Sequence, residues 1–139
     1  MSYMSYWSWV TWTVGLHDDF APEYSKLPEA VQDELLAVMG LLEQFGPQLS
    51  RPHVDTLKGS RHANMKELRF NAADGVWRFL FAFDPNRAAL IFCGGDKSGG
   101  SEKLFYRQMI AKADALFDAH LAQVEAEKKT QKKKKKKGK

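Results

Sequence analysis

Arg78 is the residue hardest to explain as a bystander. It interrupts Val76-Trp77-Arg78-Phe79-Leu80-Phe81-Ala82-Phe83, and a guanidinium in the middle of an apolar strand costs desolvation unless a carboxylate or a bound anion satisfies it. Two readings stand side by side, an internal pair with Glu67 or Asp96 and a grip on phosphate. On the preceding segment Lys66-Glu67-Leu68-Arg69 alternates. That places Lys66 with Leu68 and Phe70 on one face and Glu67 with Arg69 on the other. Lys97 follows Gly94-Gly95-Asp96, where backbone amides and an ammonium together can cradle a phosphate. The spacings of Walker and dinucleotide-binding loops are absent. Tyr106 falls on the inward stripe of a helix. Its phenol either fills the core, the commoner fate of such a stripe, or points into a cleft beside Lys97 and Lys103.

Other chemistries are poorly served. His17, His53, His62 and His120 show no metal-ligand spacing, so no metal site is expected. His53 and His62, on a loop, could act as acid or base with an imidazole near neutrality. The single cysteine, Cys93, cannot form an internal disulfide and sits in the apolar run Ala88–Cys93. A buried, inert thiol in a reducing compartment is the expectation.

The net charge of +4 conceals an uneven distribution. Nine lysines lie between residues 128 and 139, and residues 1 to 127 carry 12 basic side chains against 17 acidic ones. Within that body, residues 51 to 107 hold ten bases and six acids. An anion-binding surface would therefore have to be built from the middle third. The lysine run could attract any polyanion by counterion release. As structure it reads as a solvated tail.

The elements that must hold these groups follow from periodicity. Trp9 to Leu16 alternates as a strand. Asp18 and Asp19 are candidate caps for a short helix carrying Phe20 and Tyr24, and Pro28 opens a longer one. Its stripe is Leu27, Val31, Leu35, Val38, Met39, Leu42 and Phe45, ended by Gly46-Pro47. Residues 48 to 63 have no period and read as a long loop. Asn64 to Phe70, Val76 to Asp84 and Ala88 to Gly94 then form an antiparallel meander, its middle strand covered on both faces. Gly94 to Gly100 reads as a flexible turn, and Tyr106, Ile110, Ala113, Phe117, Leu121 and Val124 as the stripe of a last helix that frays before the lysines. At 139 residues there is room for one domain. The expected division is a disordered N-terminus over 1–8, a folded domain over 9–127 and a disordered lysine-rich tail over 128–139. No run approaches the ~20 apolar residues of a membrane span, and a cytoplasmic protein is expected.

Three blocks carry a resemblance: Asp55-Thr56-Leu57-Lys58-Gly59-Ser60-Arg61-His62, Met65-Lys66-Glu67-Leu68-Arg69-Phe70 and Val76 to Asp84, followed by Gly94-Gly95-Asp96-Lys97 and Phe105-Tyr106-Arg107. In this order and spacing, from about Trp9 to His120, the chain resembles the Gp49-like, HigB-like branch of the RelE/ParE toxins. The resemblance implies an α/β (α+β) domain with two N-terminal helices packed on a twisted, mainly antiparallel sheet of about four strands, plus a C-terminal helix. It implies a type II toxin that cleaves messenger RNA on the ribosome without metal or other cofactor. The neutralising partner would be a helix-turn-helix antitoxin in a hetero-oligomer. By position, Arg78 and Lys97 would hold the phosphate and Tyr106 would assist proton transfer. Lys58, Arg61, Lys66, Arg69, Lys103 and Arg107 would form the RNA-binding surface. Some RelE relatives carry arginine where Lys97 stands and more lysines on the second strand, where Glu67 appears. The alternatives are a ParE-like inhibitor of DNA gyrase, which needs no acid or base, and a phage remnant that only binds its antitoxin.

Overall fold

The computed structural model describes residues 11–137. In chain order the elements are β1 (Thr13–Leu16), α1 (Ala21–Tyr24), α2 (Glu29–Phe45), a 3-10 turn (Gly46–Gln48), β2 (Val54–Thr56), β3 (Met65–Ala72), β4 (Gly75–Phe83), β5 (Ala88–Asp96) and α3 (Glu102–Lys137). The sheet order is β1-β5-β4-β3-β2, with β1 parallel to β5 and every other pair antiparallel.

The sheet has five strands rather than about four, because β2 forms inside the stretch read as loop. Three residues are too few to show a period, and β2 exists because Val54, Asp55 and Thr56 pair with Leu68, Glu67 and Lys66. The aperiodic stretch also begins with the 3-10 turn. Residues 9 and 10 of the expected first strand lie outside the described residues, as does the N-terminal segment 1–8.

Alternation along β4 divides the core in two. Trp77, Phe79, Phe81 and Phe83 pack with Val31, Leu35, Val38 and Leu42 of α2, together with Phe20 and Leu68. Leu80 and Ala82 point the other way, onto Ala113 and Phe117 of α3 with Met65, Phe92 and Cys93. Each fully buried side chain of this size contributes about 1.5–3 kcal/mol, so both helices are held mainly by these stripes. The sheet is thus a central layer between helices. Cys93 is buried, and desolvation pushes its thiol up to about 12.

Helix ends depart from the simplest capping expectations. α1 is capped at Phe20 with no side-chain bond. Asp19 instead makes its contact through its backbone N–H, which donates to His17 Nδ1 at 3.0 Å. Pro28 is the N-cap of α2, with Glu29 in the first turn. At the other end Gly46 takes φ 56°, where a Cβ would stand 2.5 Å from Trp12 Cδ1. Only glycine can make that exit.

Gly94 and Gly95 belong to β5 rather than to the flexible turn, which is confined to the residues after Asp96. A Cβ on Gly94 would lie 2.5 Å from the Arg78 carbonyl oxygen and against the Phe79 ring. The glycine is there to let β5 approach β4 closely.

α3 continues to Lys137, so the lysine run is helical rather than a fraying tail. Lys, Glu, Gln and Ala are good helix formers, and no Gly or Pro interrupts them before Gly138. The last buried residue is Val124, so the basic segment extends beyond the core as an exposed helix. No helix among the described residues is long and apolar enough to cross a membrane.

Candidate active site

β3 and β4 pair with Arg69 opposite Arg78 and Glu67 opposite Leu80. Glu67, Arg69 and Arg78 therefore share the sheet face that α3 covers. The first turns of α3 bring Tyr106 down onto this face, where its phenol donates to Glu67 Oε1 at 2.7 Å. Arg78 Nε lies 3.7 Å from the same oxygen, an ion pair too long for a hydrogen bond, while its Nη1 donates to the Trp77 carbonyl at 2.9 Å. Arg78 and Glu67 side chains are only 8% and 9% exposed. Among the described residues Arg78 Nε has no hydrogen-bond partner.

Both readings of Arg78 thus apply in part. Its carboxylate is Glu67, and Asp96 is excluded because it accepts from Val76 N, Ser98 N and Ser98 Oγ. Yet the pair is loose and lies beside the other candidate groups. Lys97 Nζ sits 5.7 Å from the centre of the Tyr106 ring and is bonded to Glu102 Oε1 at 2.6 Å. That bond, with a smaller pull from Arg78, holds the Glu102 carboxyl below its ordinary range. Arg78, Lys97 and Tyr106, singled out separately in the sequence, form one cluster around Glu67.

Glu67 stands in the sequence only as a departure from the pattern of its relatives. Its alternation with Arg69 puts it on the right face, but its contact with Tyr106 spans 39 residues and leaves no local signal.

The Tyr106 phenol is pushed up to about 12, first by burial, then by donation to the Glu67 carboxylate and by its charge, with Arg78 pulling the other way. At neutral pH it is a proton donor, not a phenolate. A raised phenol favours the fold fully below its unfolded value of about 10, and the contribution is lost as pH rises through about 12. Glu67→Gln should move the Tyr106 titration down from about 12 without returning it to 10, because burial, the largest cause, remains. Tyrosine Cζ NMR shifts followed across the alkaline range check this, and an unmoved midpoint would contradict the Glu67 contact.

Two hollows flank the cluster. One, of about 330 Å³, is lined by Arg51, Asp55, Thr56, Leu57, Lys58, Glu67 and Tyr106. The other, of about 480 Å³, is lined by Arg51, Pro52, His53, Arg69, Phe70, Asn71 and Arg78. They share Arg51, whose guanidinium binds Asp55 at 2.7 Å. That bond is the main cause of a lowered Asp55 carboxyl.

The remaining basic residues divide. Lys58 is exposed at the rim of the smaller hollow, and Lys103 and Arg107 are exposed one turn apart on α3. Lys66 does not join them. It lies on the α2 face, over the Phe83 ring at 5.9 Å and near the Pro47 carbonyl, because odd and even strand positions face opposite ways. Arg61 is committed to α3 through Asp118 and Asp114, and His62 pairs with Asp118 at 2.6 Å. Asp114, buried, accepts from Ser60 Oγ at 2.5 Å and Arg61 N at 3.2 Å. These bonds hold the segment after Lys58 against α3. Asp114→Ala should cost about 1–3 kcal/mol by leaving those donors unmatched. Denaturant melts would show it, and an unchanged midpoint would contradict the latch. Among the described residues no three His, Cys, Asp or Glu side chains are placed to hold a metal ion.

A five-stranded mixed sheet between helices, with a Glu–Arg–Tyr cluster at one end, places the chain in the RelE fold. The Escherichia coli toxin RelE, solved in the free state as a mutant with two arginines changed to alanine, superposes with a TM-score of 0.55 at 12% identity, covering 74% of this chain and 97% of that one. The chain belongs to the family described as phage-derived protein Gp49-like, whose sequence profile matches residues 22–118. Two proteins of Mycobacterium tuberculosis H37Rv, named as candidate toxins HigB2 and HigB3, are each 45% identical to it, over 103 and 94 residues. The alignments cover 73% and 66% of this chain. The chain spans about half of HigB2, 51%, and 80% of HigB3.

Proposed function

We propose that this protein is the toxin of a toxin–antitoxin pair and that it cleaves messenger RNA on the ribosome, with side chains rather than a metal ion supplying acid, base and charge. The observation that carries the reading is the Tyr106 phenol bonded to the Glu67 carboxylate, with the buried Arg78 guanidinium 3.7 Å from that oxygen and short of partners. The toxin names of the HigB relatives and the RelE-like fold support it.

In this reading Arg78 and Lys97 face the scissile phosphate and offset the charge that grows on it. Glu67 takes the proton of the ribose 2′-hydroxyl as its oxygen attacks phosphorus. The bond from phosphorus to the 5′-oxygen breaks, and Tyr106 gives that oxygen its proton. The proton on Glu67 then returns to Tyr106 along their hydrogen bond. Products are a 2′,3′-cyclic phosphate and a 5′-hydroxyl. Lys58, Arg69, Lys103 and Arg107 add positive field around the groove, and a helix-turn-helix antitoxin would neutralise the protein by covering it.

Translating ribosomes carrying a defined message provide the test. Wild-type protein should cut the message in EDTA buffered for ribosome integrity with excess magnesium replaced by polyamine, leaving cyclic-phosphate ends. Intact message, or ends bearing a free 5′-phosphate, would overturn the proposal.

A further inference from the structure

Arg69 and Arg78 stand directly opposite each other on adjacent strands, an arrangement in which like charges repel. The fold does not neutralise them. Arg78 has only the loose contact with Glu67, and Arg69 reaches Asp55 Oδ2 at 3.4 Å, an oxygen that Arg51 already holds at 2.7 Å. Three guanidinium groups share two carboxylates. Moreover, the Nε atoms of both Arg69 and Arg78 are buried without a hydrogen-bond partner among the described residues. A buried donor left unmatched is costly, and two of them across one rung of the sheet call for one acceptor.

Both arginines line the hollow of about 480 Å³ that opens beyond the end of β2. Its other walls supply an aromatic edge from Phe70 and polar atoms from His53 and Asn71. A multi-oxygen anion joined to a flat, hydrogen-bonding ring matches those walls. An acidic side chain of a protein partner would satisfy the guanidiniums but leave the ring-sized space and the His53 and Asn71 atoms unused.

We propose that this hollow is a nucleotide subsite, in which Arg69 and Arg78 bind a phosphate next to the scissile one and the pocket takes the attached nucleoside of single-stranded RNA. The proposal rests on the nuclease reading for its placement relative to the cut. Because Arg78 lines this hollow and also faces Glu67, and Arg51 lines both hollows, consecutive phosphates of one strand would run from one to the other.

A trinucleotide with 2′-O-methyl riboses, which cannot be cleaved by 2′-oxygen attack, separates binding from catalysis. On titration, the arginine Nε–Hε NMR signals of Arg69 and Arg78 should shift together. Arg69→Gln, which leaves Asp55 its Arg51 partner, should weaken binding about tenfold or more. It should also reduce the salt dependence of log affinity by about 0.7, the loss of one phosphate contact on a single strand. Unchanged affinity and salt slope in Arg69→Gln would overturn the subsite, even if the protein cuts RNA. Arg69-dependent binding by a protein that cuts no RNA would keep the subsite and remove the nuclease reading.

Discussion

Tyr106→Phe should lower RNA cleavage by about 10²- to 10⁴-fold, the range in which a positioned acid or base contributes, and should abolish growth arrest in cells expressing the protein. The substitution keeps the ring and its packing and removes one oxygen. In the proposed reaction that oxygen supplies the leaving group's proton and recovers it from Glu67. The cost to the fold is small by comparison, about 1–3 kcal/mol for a Glu67 carboxylate that has lost its donor. A folded but inactive variant is therefore the expected result. Wild-type rates measured on translating ribosomes would remove Tyr106 from the chemistry.

Arg78→Ala combines two effects that must be separated. It removes the cation facing the phosphate, and it strands the Glu67 carboxylate, 9% exposed, without a counter-charge. Breaking a buried pair from one side costs about 3–5 kcal/mol, a large share of a small domain's stability. Loss of cleavage in this variant alone would be ambiguous. The double variant Arg78→Met, Glu67→Gln resolves it. An apolar side chain replaces the guanidinium, and an amide keeps an acceptor for Tyr106. Replacing both members of a buried pair is often neutral, so thermal melts should return close to wild type while cleavage stays lost. Restored stability together with restored cleavage would show that Arg78 serves the fold only.

The central frame is legible in the sequence because its signals are local. The two faces of β4 follow from strict alternation, and the stripes of α2 and α3 from helical spacing, so the layering can be read without tertiary information. β2 cannot be read, since its three residues are a strand only through their partners on β3. The lysine segment of α3 departs from expectation for the opposite reason. Charge repulsion argues for disorder, whereas side-chain helix preference and the absence of a breaker before Gly138 carry the helix on.

The site is legible residue by residue but not as an assembly. Arg78 stands out because charge in an apolar strand is rare, and Lys97 because it follows paired glycines. Tyr106 is ambiguous, and the structure places it between the alternatives, half-buried on the stripe with its oxygen on Glu67. The place of Glu67 in the cluster, the turning of Lys66 to the α2 face and the commitment of Arg61 to Asp118 all depend on long-range packing.

Mapping transcript ends after induced expression, in cells carrying the wild type or Tyr106→Phe, tests the central claim most directly. The account predicts cuts within translated regions, in frame with the codons, ending in 2′,3′-cyclic phosphate and absent from the Tyr106→Phe cells. Growth arrest with intact transcripts and gyrase-dependent DNA breaks, or the same cuts in both strains, would contradict it.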